Sequence, residues 1–355
     1  MNIIKQKNTC FPFISKNPSY NITISCDDGF QLTLNSVGAS IRQLIYPFPD
    51  GSLRNIVLSF ADDTTYLSNS LYAGATLAPC AGRISHGCLP IENTIYSLSR
   101  NENNIHTLHG GSHNASFANW NLRSVHAATG RADITFDILL PDGLDGFPGN
   151  RKITACYTLL ENHTLTVFYE AFSDKCTYFN ISNHTYFNLN GDFSIPVYDH
   201  TLRLQAESYT RNGIDFIPEC ISPVENTPFD FRKPVSLSTY IEKFTSNDQL
   251  IHNKGYNHAF VLTHPSDCAD LYCTAAHSPV QLTAMSDSPC MVLYTGGFIE
   301  PGLSLSHNQK SISSCAMAFE FQDYPDASGK HNFPFLITQA NEKWSRTITY
   351  KLSSR

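Results

Sequence analysis

The chain has 355 residues, 41% hydrophobic and 12% aromatic, which is enough apolar side chain for a large core and excludes an intrinsically disordered chain. Its 24 lysines and arginines against 31 aspartates and glutamates give a net charge of −7 with no basic cluster, which argues against nucleic acid or another anionic polymer as partner. Lys5 and Lys7 sit where a secretory signal would need an apolar run, and no stretch approaches the ~20 apolar residues of a membrane span.

The eleven cysteines form no CxxC pair, and their odd number leaves at least one unpaired in any intramolecular scheme. Free thiols in a cytoplasmic enzyme are the expectation. The sequons at Asn114, Asn162, Asn180 and Asn183 are read as chance in an Asn-rich chain.

Along the chain the dominant period is two. Ile22 and Ile24, the turn pair Asp28-Gly29, then Phe30, Leu32 and Leu34 predict a hairpin, because Asp-Gly supplies the positive φ of a tight turn. Ile134, Phe136 and Ile138 alternate with polar residues, as do Leu165, Val167 and Tyr169 with Thr166, Phe168 and Glu170. Short strands are expected again at Leu202–Ala206, Ala259–Leu262, Val280–Ala284, Met291–Tyr294 and Ile348–Leu352. Only the stretch Val235–Phe244, after Pro234, suits a short helix. Nineteen glycines and nineteen prolines are spread through turns, with no linker and no fixed-period repeat. The expectation is one domain over residues 1–355, all-β, a large antiparallel β-sandwich with few short helices and a polar groove between its two sheets.

Motifs for cofactors are missing. Gly143 to Gly149 has neither dinucleotide nor phosphate-loop spacing, and no GxSxG elbow occurs. His109 and His113 have helical metal-ligand spacing, but Gly110-Gly111 between them disfavours a helix, so neither a metal nor a cofactor is expected. His184, within Asn183-His184-Thr185-Tyr186-Phe187-Asn188-Leu189-Asn190-Gly191, sets an imidazole among amides and phenols on an expected strand. Glu320 lies between Phe319 and Phe321, a surround that raises a carboxyl pKa by desolvation. Each alone fits a structural role as well as an acid/base one. His109 beside two glycines can approach a ligand closely, and Arg83 offers a fork of donors for hydroxyl oxygens.

Several segments then fall into a familiar order: Gly82-Arg83-Ile84; Leu108-His109-Gly110-Gly111 followed by Trp120; Asp145-Gly146-Phe147-Pro148-Gly149-Asn150; and the run around His184. Thr227-Pro228-Phe229-Asp230-Phe231-Arg232, Lys254-Gly255-Tyr256-Asn257-His258-Ala259-Phe260 and Tyr294-Thr295-Gly296-Gly297-Phe298 continue it. It closes with Glu320-Phe321-Gln322-Asp323-Tyr324-Pro325-Asp326-Ala327 and Phe333-Pro334. In this ordered set the chain resembles the aldose 1-epimerase (galactose mutarotase) family over most of its length. The resemblance implies a galactose mutarotase-like β-sandwich that interconverts the α and β anomers of a free aldohexose such as galactose or glucose.

It also implies roles: His184 as general acid, Glu320 as general base, and Arg83 and His109 as sugar contacts. The partner would be a small-molecule monosaccharide, with no nucleic acid or membrane involved, and the protein a monomer or weak homodimer. Two departures stand out. Asn257 occupies the position of a usual aspartate that binds sugar hydroxyls, and Gly82 precedes the arginine where many members have asparagine. Asn257 remains a candidate substrate-binding residue, since an amide both accepts and donates hydrogen bonds. The alternatives are a non-catalytic sugar-binding or sensor domain of the same fold, and an epimerase of phosphorylated hexoses using Arg151, Lys152 or Lys233. A catalytic pair needs Glu320 ionised and His184 protonated together, which is expected to require only modest departures from free side chains.

Overall fold

The structure, a computed structural model, describes residues 1–8, 18–243, 245–264 and 268–355. The expected hairpin forms between Ser19–Ser25 and Gln31–Asn35, with Ile22 opposite Leu34 and Ile24 opposite Leu32. Gly29 takes the positive φ of its turn. It belongs to a five-stranded antiparallel sheet.

A nine-stranded antiparallel sheet carries the longest alternating runs. Arg131–Leu140, Arg151–Leu160 and Thr164–Ser173 follow one another as hairpins, and Trp344–Ser354 pairs with the last of them. Alternate residues such as Ile134, Ile153, Val167, Leu282 and Ile348 are fully buried, while their strand neighbours face outward. A six-stranded antiparallel sheet runs in the order Tyr186–Phe187, Met317–Gln322, Cys290–Tyr294, Asn257–Leu262, Ala206–Asn212 and Pro218–Pro223. One continuous core joins the three sheets. Phe319, Phe321, Met291, Leu293 and Phe260 enter it from the six-stranded sheet, and Tyr350 meets Phe187 and Phe321 from the nine-stranded one. The expected all-β antiparallel sandwich is therefore the observed architecture.

Two local expectations shift. Within Val235–Phe244, the helix spans Leu237–Lys243, while Val235–Ser236 pairs with Thr201 and Leu202, and Phe244 lies outside the described residues. A β-branched valine beside Pro234 favours this extension of the sheet over a first helical turn. A second short helix, Asp248–His252, is started by Asn247, whose side chain accepts a hydrogen bond from the Leu250 N–H. At Leu202–Ala206 the run divides, because His200–Leu204 belongs to the nine-stranded sheet and Ala206–Asn212 to the six-stranded one.

Candidate active site

Three neighbouring strands of the six-stranded sheet build the floor of a pocket. Their odd or even positions that point away from the main core share one face: Glu320 and Gln322, Val292 and Tyr294, Asn257 and Ala259, of which Val292, Tyr294 and Ala259 join a second, smaller apolar cluster. Val292 is opposite Glu320 in one pairing and Ala259 in the next, and Asn257 is opposite Tyr294. The period of two that sends Phe319 and Phe321 into the core therefore sends Glu320 the other way. The pocket lies on the outer face of the six-stranded sheet, not between two sheets, since the space between sheets is filled by the aromatic core. Its volume is about 380 Å³, within the ~300–1,000 Å³ usual for small-molecule sites.

Loops supply the walls. His184 stands in a break between two short strands, Ser182–Asn183 and Tyr186–Phe187, where an uninterrupted strand was expected. The chain crosses there from pairing with Thr76–Leu77 to pairing with Met317–Ala318. The Asn183 side-chain oxygen accepts from the Thr185 N–H, and Asn183 Nδ2 donates to Gly74 O, so the break is fixed by side chains. Asn183 is wholly buried, which leaves no room for a glycan.

His109 is held at φ 49° by two hydrogen bonds with Gly82: its N–H donates to Gly82 O and its Nδ1 accepts from the Gly82 N–H. Gly110 and Gly111 follow with positive φ, and a Cβ on Gly110 would come within 2.9 Å of the Ala78 carbonyl oxygen. Only glycine suits that turn, which presses His109 into the wall.

The structure brings all five sequence-derived residues to one pocket, four of them around His184. His184 Nε2 lies 3.4 Å from Glu320 Oε1, and the His109 and His184 rings meet edge to face at 5.4 Å. Arg83 and Asn257 line the same pocket. The Asn257 side chain makes no hydrogen bond within the described protein, so both ends of its amide are available to a ligand. Arg83 donates from Nε and Nη2 to the two carboxylate oxygens of Glu102, each at 2.7 Å. Glu102 was not anticipated. It comes from a tight loop 19 residues away in sequence, where no periodicity marks it.

The other motif residues fall elsewhere. His113 is exposed and paired with Asp145, so it does not share a site with His109. Arg151, Lys152 and Lys233 do not line the pocket. Gly82 has φ +72, and a Cβ there would come 3.3 Å from the Gln322 side-chain oxygen.

Burial sets the charge state of the central pair. Desolvation pushes the Glu320 carboxyl up to about 8, with the Arg83 charge pulling the other way. Desolvation pulls His184 down to about 4. His109 is held well below the ordinary imidazole range by burial and by the His184 and Arg83 charges. The shifts exceed the modest ones expected. Between about 4 and about 8 the pair holds one proton, and burial places it on Glu320 with His184 neutral.

That imbalance is also a statement about stability. Glu320 has a folded pKa raised from 4.5, so its contribution is fully present below that value and is lost as pH rises toward about 8. Glu320→Gln keeps the shape without the ionisation. Thermal melts should show the variant gaining on the parent by a few kcal/mol (order of magnitude) at pH 8, with the gain vanishing at pH 4.

Ligand atoms of His109, His184 and Glu320 lie within 4.8 Å of one another, near enough to share one cation. The surroundings do not suit it. A cation needs Glu320 ionised, which burial opposes, and Arg83 already brings a positive charge to this wall. No helix among the described residues is long and apolar enough to cross a membrane.

Known proteins resemble the chain over most of its length. The chain is 29% identical over 330 residues to the galactose mutarotase of Rattus norvegicus, covering 92% of each protein. It is 28% identical over 316 residues to the aldose 1-epimerase of Escherichia coli (strain K12), covering 88% of each. Its fold superposes on the crystal structure of galactose 1-epimerase from Lactobacillus acidophilus with a TM-score of 0.83 at 26% identity, covering 99% of this chain and 98% of that one. The aldose 1-epimerase family profile matches residues 20–351, and the chain belongs to that family.

Proposed function

We propose that residues 1–355 act as a single aldose 1-epimerase domain that interconverts the α and β anomers of a free aldohexose, with His184 and Glu320 as its proton-transfer pair. The observation that carries this reading is the buried contact of 3.4 Å between an imidazole on the wall and a carboxyl on the floor of one pocket. A binding module needs no such pair, so the sensor alternative leaves it without a task.

Ring opening requires a proton taken from the C1 hydroxyl and one given to the ring oxygen. Glu320 carboxylate takes the first while His184 imidazolium gives the second; the bond from C1 to the ring oxygen breaks and the aldehyde forms. The pair is then protonated Glu320 and neutral His184. Half a turn about C1–C2 offers the other carbonyl face. The C5 hydroxyl attacks, neutral His184 takes its proton, and Glu320 returns its own to the carbonyl oxygen. The opposite anomer leaves, and no proton is gained or lost overall.

The protonation state favoured by burial is the one at the aldehyde stage. The opening state is its tautomer, with the same total of one proton, and the Arg83 charge favours it by pulling Glu320 toward ionisation. Two coupled groups of this kind titrate as a pair.

Asn257 gives the sugar a neutral partner. A hydrogen bond to an ionised group is about twice as strong as a neutral one, so Asn257→Asp is expected to lower KM several-fold for the aldoses whose hydroxyls it meets, with little change in kcat. Unchanged KM across an aldose panel would make the position silent. The free thiols of the described cysteines suit a reducing cytoplasmic compartment, and a monomer or weak homodimer fits a pocket to which one chain brings both His184 and Glu320.

The test is NMR exchange spectroscopy on equilibrated galactose, glucose and other aldoses. Faster exchange between anomeric protons with the protein than with its Glu320→Gln variant supports the reading. Equal exchange with both overturns it.

A further inference from the structure

We propose that Glu102 is a positioning and specificity-determining residue of this site, orienting the Arg83 guanidinium and presenting a carboxylate to a sugar hydroxyl next to it. The proposal rests on the mutarotase reading for its kinetics, but not for its sugar-binding arm.

Glu102 and Arg83 both line the pocket, and their side chains are mostly buried, at 17% and 18% exposure, so the pair is shielded from bulk solvent. The contact is a two-point fork, Nε and Nη2 each 2.7 Å from one carboxylate oxygen. Such geometry fixes the plane of a guanidinium, which a single contact does not. Nη1 has no hydrogen-bond partner among the described residues and is the donor left for a ligand. Phe216 backs the guanidinium, with Arg83 Cζ 5.2 Å from the ring centroid.

Glu102 is itself anchored. Its N–H donates to His106 O and its carbonyl accepts from the N–H groups of Ile105 and His106, which closes the loop on which it stands. Next to it, Asn101 donates from Nδ2 to Leu108 O and Gly111 O and accepts from the Leu108 N–H, binding this loop to the His109 wall. A carboxylate oxygen has two lone-pair sites, so each Glu102 oxygen keeps one after binding Arg83. A fixed donor beside a free acceptor matches two neighbouring hydroxyls of a sugar, one accepting from Nη1 and the other donating to Glu102. Asn257, the nearby floor residue that faces the ligand, is neutral. Glu102 is therefore the carboxylate that balances Arg83, whose charge reaches both His109 and Glu320.

The experiment compares Glu102→Gln and Glu102→Asp with the parent chain in three readouts: kinetics on a panel of aldose epimers, the pH profile, and galactose binding by saturation-transfer NMR. For Glu102→Gln, KM should rise roughly 10- to 100-fold, the weight of one hydrogen bond to a charged group, with a much smaller change in kcat. The rise should differ among epimers. The alkaline limb of the pH profile should move to lower pH, because an unbalanced Arg83 ionises Glu320 earlier. Glu102→Asp keeps the charge and should hold the limb in place while losing part of the affinity. A purely structural Glu102 would lower the melting temperature and move neither the limb nor the epimer ranking, which overturns the proposal. If Glu102→Gln does not fold, Glu102→Asp decides: parental KM for every epimer overturns the proposal, and an epimer-dependent rise supports it. If the parent chain fails to speed anomer exchange yet Glu102→Gln weakens galactose binding, the acid/base reading falls and this assignment stands.

Discussion

Glu320→Gln lowers kcat for anomer exchange by about 10²–10⁴-fold, the usual contribution of one general acid/base group, while the fold is retained. His184→Asn does the same. The two losses should not add, since both residues serve one proton circuit: once either end is removed, the other has no proton to pass on. The double variant is expected within about tenfold of the worse single variant. Retained folding is argued from the position of Glu320, whose neighbours Phe319 and Phe321 hold the strand in the core whatever lies on its opposite face. Stopped-flow polarimetry on each variant, with circular dichroism as the folding control, checks both points. Near-parental kcat in either single variant removes that residue from the chemistry.

Arg346→Met is expected to destabilise the protein by about 3–5 kcal/mol, the cost of stranding the mostly buried Asp323 carboxylate and of losing two further buried hydrogen bonds. Arg346 is buried and donates from Nη2 to Asp323, and from Nη1 to the Asn180 side-chain oxygen at 2.9 Å and to Ile181 O at 3.1 Å. The Asn180 oxygen also accepts from the Asp323 N–H. One side chain thus ties the Trp344–Ser354 strand to the segment leading into His184 and to the end of the strand carrying Glu320. The two reacting residues come from distant parts of the chain, and this brace sets where they meet. Replacing Asp323 by Leu in the Arg346→Met background removes the stranded charge and should restore part of the loss. Equilibrium urea unfolding of the three proteins measures it. A change below about 1 kcal/mol in Arg346→Met would show the pair to be dispensable.

Much of this was readable from residue order. The alternation at Ile134–Ile138 and Leu165–Tyr169 names strands because most steps change from a buried apolar residue to a less buried polar one, although Asp137 is buried, Ile138 is half-buried and Phe168 faces outward. Phe319-Glu320-Phe321 goes further, since two core phenylalanines force the glutamate to the opposite face and into a poorly solvated place. The extent of that desolvation depends on Val292, Ala259 and Tyr186, which arrive from other strands and are invisible to local reading. The break at His184 was missed for a similar reason: it follows from a change of partner strand, and Asn183 fixes it through a side-chain bond that periodicity does not encode. The pocket was expected between the sheets and lies outside them, because aromatic volume fills the interior. Glu102 sits in an Asn-rich turn whose composition says only that the chain bends there. Its meaning comes from a contact with Arg83 that exists only in the folded protein.

The measurement that bears most directly on the central claim is the rate at which freshly dissolved α-galactose reaches its equilibrium rotation, with and without the protein, followed from pH 3.5 to pH 9. A pair holding one proton between values of about 4 and about 8 predicts a bell-shaped kcat/KM with its limbs near those two values, well above the buffer rate at the centre. Relaxation at the buffer rate across the whole range, or a protein-dependent rate with no limb on either side, would contradict it.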